Sequence, residues 1–287
     1  MLIFSTALFL YALVRAVTNP RASSYAFAGL ALGFACLVKP LGVLFPAFCL
    51  AGLFLFRPGG LPLRSTAIGC VIMAAVMTAV MAPWIARNYA VSGRFVPTMT
   101  ILGISMDQNR HICRETNVLQ GKVKQIEESV ARYEKLAMEQ GRRFREVKDC
   151  CGPFFYQTRD ELAFNDYLTK TAAEDYRRNP GFFVGCAAEN VAGFWVAGRD
   201  RGAVLMNTAV QLPLLVLALL GLYRAVRLAS RQALWALVGY IVYVIAVHVP
   251  VLAFARHSIQ LVPALAVLAA IALLPLVTRV RTRPRTA

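Results

Sequence analysis

The sequence predicts an all-α polytopic membrane protein, with about seven transmembrane helices and one helical extracytoplasmic domain inserted between the fourth and the fifth. Three observations predict it. Apolar residues make up 58% of the chain and the mean hydropathy is +0.56, beyond the range of soluble domains. All 15 Asp and Glu residues are confined to one stretch, from Asp107 to Asp200. Most basic residues outside that stretch stand in short links between long apolar runs.

The spans follow from the need for about 20 apolar residues to cross the hydrocarbon. They are Met1 to Val17, Ala22 to Val38, Leu41 to Phe56, Ser65 to Trp84, Ala203 to Tyr223, Ala233 to Phe254 and Ser258 to Thr278. The region Ala22 to Phe56 carries Lys39 as its only charge and can be read as one span or two. A hairpin turning at Lys39-Pro40 keeps Arg21 and the Arg57/Arg64 link on one face of the membrane, so two spans are preferred. The domains are therefore 1–84 (four spans), 85–202 (the outward helical domain) and 203–287 (three spans and a basic tail).

Charge sets the orientation. The links at 18–24, 57–64 and 224–232 and the tail at 279–287 hold ten basic residues and no acid, which places them in the cytoplasm. The net charge of +16 is accordingly a bilayer signature, and nucleic acid is excluded as a partner. By alternation Met1 starts outside, although first helices usually start inside, which leads to the expectation of further sequence upstream. The opening apolar run has no basic residue ahead of it, so it reads as a span and not as a secretory signal.

Within the outward segment the apolar spacing is helical. Leu119, Val123, Ile126, Val130, Tyr133 and Ala137 form one stripe of a helix that Gly141 ends. Thr158 to Glu161 fits a capping box opening a second helix through Phe164, Leu168, Ala172 and Tyr176. Asn179-Pro180 then caps a third, which either lies in the interface with Phe194 and Trp195 at headgroup depth or packs within the outer domain. Cys113, Cys150, Cys151 and Cys186 fall here in an oxidising exterior; four cysteines allow three connectivities, adjacent Cys150 and Cys151 do not readily pair with each other, and the pairing stays open. His111-Ile-Cys113 lacks metal-ligand spacing, so no metal is expected, and no cofactor motif is present.

Four segments carry the candidate chemistry: GLALGFACLVKPLGVLFPAF (Gly29 to Phe48), APWIARNYAVSGRFVPTMT (Ala82 to Thr100), DYRRNPGFFVGCAAENVAGFW (Asp175 to Trp195) and FARHSIQLVPALAVLAA (Phe254 to Ala270). In this order they resemble the multispanning glycosyltransferases of the GT-C superfamily, the group of the protein mannosyltransferases and the lipid A aminoarabinose transferases. The resemblance implies transfer of a sugar from a polyprenyl-phosphate carrier to a lipid, glycan or protein acceptor on the outer face of a bacterial plasma membrane.

Lys39, Arg87 and Arg256 stand at outer span ends, where a cation meets a lipid phosphate at low desolvation cost. Each would otherwise be a snorkelling residue beside ordinary anionic lipid. Asn88, Tyr89 and His257 are candidates for positioning donor or acceptor. In the resembled family the catalytic acid follows the first span, whereas no acid precedes Asp107 here. The chain is therefore expected to be a carboxy-terminal portion, with a separate amino-terminal half among its partners. Asp107, in a polar run read as a loop, is a weak substitute base. Three other readings stay open: a noncatalytic accessory subunit or scaffold, a transporter of lipid carriers, and an O-antigen polymerase or ligase.

Overall fold

A computed structural model describes residues 1–56, 62–98, 102–115, 118–141, 144–145, 154–155, 158–198, 200–228 and 230–281. Arg57, Cys150 and Cys151 lie outside the described residues. Among the described residues the regular structure is helical, apart from a two-residue ladder pairing β1 (Phe144–Arg145) with β2 (Phe154–Phe155) antiparallel.

Among the described residues, four helical stretches are long and apolar enough to cross a membrane: Leu63–Ser92, Arg201–Arg227, Arg231–His248 and Ala255–Leu274. They belong to α4 (Leu63–Ser92), α10 (Arg201–Leu228), α11 (Arg231–His248) and α12 (Val262–Arg281), the last preceded by the short helical turn Ala255–Leu261. The three remaining apolar helices are shorter: α1 (Leu2–Thr18), α2 (Ala22–Val38) and α3 (Phe45–Phe56). At 1.5 Å per residue, the 12 residues of α3 reach only about 18 Å against a hydrocarbon core of about 30 Å. All seven expected apolar segments are helical, and four have the length of a span.

The chain forms two compact units. The first comprises Met1–Ala82, Met206–Val244 and Ser258–Ala287, and the second Pro83–Leu205 and Ile245–His257. The first division falls at Pro83 inside α4, where the missing N–H drops one helical hydrogen bond.

In the first unit, the chain turns where the sequence places the hairpin. Helix α2 ends at Val38, Lys39 is extended as the residue before a proline, and Pro40–Gly42 makes a short helical turn leading to α3. Glycines set how closely α2 approaches α4. A Cβ on Gly29 would lie 2.5 Å from the Met73 carbonyl oxygen, and one on Gly33 would lie 2.7 Å from Val80 Cβ. This is the small-xxx-small device by which apolar helices pack when no hydrophobic effect drives them together. The core is aromatic: Phe9 and Phe45 meet edge-on at 5.3 Å, and Phe45 meets Tyr243 at 5.1 Å.

The second unit is built on α5 (Leu102–Glu115), α6 (Val118–Lys124), a π-helical turn (Gln125–Val130), α7 (Ala131–Glu139), α8 (Thr158–Arg178) and α9 (Pro180–Val196). Val130, Tyr133 and Ala137 pack with Phe164 and Leu168 in one apolar core, where the Tyr133 and Phe164 rings meet at 4.9 Å. Gly141 follows α7 at φ +70°, a conformation that suits glycine and ends the helix.

Two expectations are corrected here. The stripe from Leu119 to Ala137 holds only in its second half. Val123 and Ile126 are exposed, whereas Gln125 and Ser129 are buried, because the inward face there is polar and the π turn shifts the register. The side chain of Leu119 is outside the described residues. Asn179 precedes α9 as predicted, but its side chain makes no capping hydrogen bond. Of the two settings open for α9, the residues favour packing within the unit, since Cys186, Asn190 and Phe194 are buried.

Candidate functional site

The predicted residues of the second unit gather at two places. The first is the end of α4. Arg87 is exposed and lies over the Trp84 ring, its carbon 5.1 Å from the centroid, a stacked arrangement that suits a guanidinium. Arg87 Nη1 donates to Asn88 Oδ1 at 3.4 Å, and Tyr89 is exposed. Asn88 is less available to a sugar than the sequence suggests: its amide donates to the Val96 carbonyl at 3.0 Å. The Asn88 carbonyl accepts from Ser92 Oγ at 2.7 Å, and Ser92 Oγ accepts from Arg94 N at 3.1 Å. These bonds close the turn at Gly93, where φ is +67°. Arg94 in turn reaches Asp166 of α8 at 2.6 Å, an exposed pair of small energetic weight.

The second place is the turn after α11. Arg256 is exposed, and its guanidinium carbon lies over the Phe254 ring, 5.3 Å from the centroid. His257 Nδ1 accepts the Phe254 N–H at 3.2 Å, so the neutral ring carries its proton on Nε2. Its ring lies 4.7 Å from that of His248, which meets Phe194 at 5.6 Å. Asn190 of α9 holds the turn by donating to the Val249 carbonyl at 2.8 Å.

Lys39 belongs to the first unit. It is half-buried and lines a cavity of about 20 Å³ with Thr6, Tyr240, Tyr243 and Gln260, room for about one water.

Asp107 is the clear departure from expectation. It sits in the middle of α5, not in a loop, and is fully buried. Arg110 Nε donates to its Oδ1 at 2.7 Å, Ser129 Oγ to the same oxygen at 3.1 Å, and Gln125 Nε2 to Oδ2 at 3.1 Å. In this arrangement the carboxylate accepts three hydrogen bonds and has no surface open to an acceptor hydroxyl. Arg110 continues the network to Asp175 at 3.4 Å and to Ser129 at 2.9 Å, and Arg114 reaches Asp175 at 2.6 Å. Burial pulls the Arg110 guanidinium down, but Asp107 and Asp175 together raise it.

His111 Nε2 lies 3.1 Å from Ser129 Oγ. Because the Ser129 proton goes to Asp107, the imidazole is the donor to Ser129. Burial is the largest influence on this ring and lowers its pKa. Serine thus stands between histidine and aspartate, the reverse of a nucleophilic triad, in which histidine is the middle member.

A further set of partners was not anticipated. Asn109 Nδ2 donates to the Tyr176 hydroxyl at 3.3 Å, and Asn190 Nδ2 donates to Asn109 Oδ1 at 3.0 Å. A disulfide joins Cys113 of α5 to Cys186 of α9. The polar run from Asp107 to His111 reads as a loop because it is hydrophilic. Spacing of three and four between Asp107, Arg110 and His111 was the signal for one helix face. Among the described residues no group of His, Cys, Asp and Glu could hold a metal ion. No protein-family model, curated protein sequence or solved structure matches the chain.

Proposed function

We propose that the chain belongs to an integral-membrane glycosyltransferase, in which it holds the phosphate of a polyprenyl-phosphate-linked sugar at the outer face while the sugar passes to a lipid, glycan or protein acceptor. The finer architecture proposed with it is a chain of seven crossings in a bacterial plasma membrane, the second unit facing outward. One observation carries the reading: Arg87 and Arg256 are exposed guanidinium groups, each laid over an aromatic ring beside a long apolar helix. A stacked guanidinium keeps its planar fork turned to a phosphate, which it can bind through two parallel hydrogen bonds.

The chemistry then follows from charge. When the bond between the sugar's anomeric carbon and the carrier oxygen breaks, negative charge grows on the departing phosphate. Cations already in place stabilise that charge more than the starting diester. Lys39, at the break between α2 and α3 in the first unit, is proposed by itself as a further contact for the carrier. Tyr89 offers an exposed hydroxyl and ring to the sugar, and His257 a ring of fixed orientation. No base is assigned. The burial of Asp107 favours the second reading, in which the chain binds carrier as an accessory subunit without performing transfer.

The test is binding of a short-chain polyprenyl-phosphate sugar to the protein reconstituted in lipid nanodiscs. Arg87→Ala and Arg256→Ala should each weaken binding about tenfold, as for loss of one charge-assisted hydrogen-bond pair, and Lys39→Ala should do the same. Unchanged affinity in the Arg87/Arg256 double variant would overturn the proposal. Turnover of radiolabelled donor to a lipid-linked product separates the transferase from the accessory reading.

A further inference from the structure

The first unit contains an apolar cleft of about 490 Å³ formed by α1, α10, α11 and α12. Ala7, Tyr11, Leu234, Leu237, Val267 and Ile271 represent its lining, which is almost free of polar surface. An apolar cleft of this size is large enough for a substantial hydrocarbon ligand. In a bilayer it would take up the chain of a lipid.

The ends of these helices carry cations. Arg15 lies one turn beyond Tyr11 on the same face of α1, and Arg231 lies three residues before Leu234 on α11. Both are exposed. Arg224 adjoins the lining residue Ala225 and donates to the backbone carbonyl of Ala272, the residue after Ile271. That bond holds its guanidinium beside the cleft. The adjoining links at 18–24 and 224–232 contain no Asp or Glu, so no carboxylate on them competes for these groups. An apolar slot with a cationic, acid-free end matches a lipid that has a hydrocarbon chain and an anionic headgroup.

We propose that this cleft binds one acyl chain of an anionic phospholipid, whose phosphate is taken by Arg15, Arg224 and Arg231. The site involves neither Arg87 nor Arg256. It rests on the membrane character of the chain and not on the glycosyltransferase reading.

The delipidated full chain in detergent, titrated with phosphatidylglycerol or with phosphatidylcholine of equal chain length, tests this by native mass spectrometry. One phosphatidylglycerol per chain should bind about tenfold more tightly than phosphatidylcholine. Arg15→Gln with Arg231→Gln, two exposed positions, should remove that preference while leaving the weaker binding of phosphatidylcholine. Ala7→Trp, which fills the cleft, should reduce binding of both lipids about tenfold with an unchanged melting temperature. Glycerol phosphate, a headgroup without a chain, should not compete. Equal affinity for the two lipids, a preference that survives the double substitution, full retention of lipid in Ala7→Trp, or displacement by glycerol phosphate would each overturn the proposal.

Discussion

Arg110 Nε donates to Asp107 Oδ1 at 2.7 Å, at a position where the carboxylate has no exposed surface. One pair of charges is thus buried in the middle of the second unit, three residues apart on α5. Removing one partner strands the other, which typically costs about 3–5 kcal/mol. Asp107→Ala should therefore lower the melting temperature of the purified protein in detergent by many degrees. Asp107→Leu with Arg110→Met should recover most of that loss, since a matched apolar pair leaves no stranded charge. A double variant as unstable as the single one would show that the other bonds of Arg110, to Ser129 and Asp175, carry the stability instead.

The acid sensitivity of the same cluster has a definite sign. Burial lowers the pKa of His111 from its ordinary 6.5, and Arg110 and Arg114 push the same way, while Asp107 and Glu128 oppose. The unfolded chain binds this proton more readily than the folded one, so the stabilisation is complete above pH 6.5 and is lost as the pH falls below it. Melting temperature should fall as the buffer is taken from about pH 7 to about pH 5, and His111→Gln should flatten that profile. A profile unchanged by the substitution would assign the acid sensitivity to other groups.

The bond between Cys113 and Cys186 closes a loop over a separation of 73 residues. Chain-entropy reasoning gives an upper figure of about 4.4 kcal/mol for such a loop, and measured cases usually give about 2–4. Reduction, or Cys113→Ser with Cys186→Ser, should lower stability within that range. Disulfides persist in oxidising compartments, so both thiols should resist maleimide labelling in intact cells until a reductant is added. The proposed orientation also requires an alkaline phosphatase fusion to be active at Gln120 and inactive at Arg227. The opposite pattern would reverse it.

In the first unit, Gly33→Leu should be poorly tolerated. The added Cβ would fall 2.7 Å from Val80 Cβ, and α2 and α4 would have to separate. Overpacking of this kind typically costs about 1–3 kcal/mol. Thermal denaturation in detergent should show the loss, whereas Phe34→Leu, at an exposed neighbouring position, should be nearly silent.

Much of this architecture is legible in the sequence because a bilayer and a helix each impose a simple rule. Apolar run length places α1 to α4 and α10 to α12, and the residue before Pro40 marks the break after α2. Spacing by four finds the buried face of α8, where Phe164, Leu168, Ala172 and Tyr176 all point inward. Apolar spacing fails between Gln125 and Ser129 because what is buried there is polar. A rule that counts hydrophobic residues is blind to a face satisfied by hydrogen bonds. The candidate cations were legible as charges at the ends of apolar runs. Their stacking on Trp84 and Phe254 was not, because sequence neighbours at spacings of two and three do not reveal which ring a guanidinium covers. The pairing of Cys113 with Cys186 depends on how α5 meets α9, and no local pattern contains it.

The π turn from Gln125 to Val130 has a consequence for how this protein tolerates changes in length. A π turn accommodates one residue more than an α-helical path between the same ends. It lets Gln125 and Ser129 serve the charged cluster while Tyr133 and Ala137 still meet Phe164 and Leu168. Deleting a single residue within it would leave a regular α-helix between the same ends, so Tyr133 and Ala137 would keep their places against Phe164 and Leu168 while Gln125 and Ser129 lost the register that turns both of them to Asp107. In this segment a change of length falls on the charged cluster and spares the aromatic core.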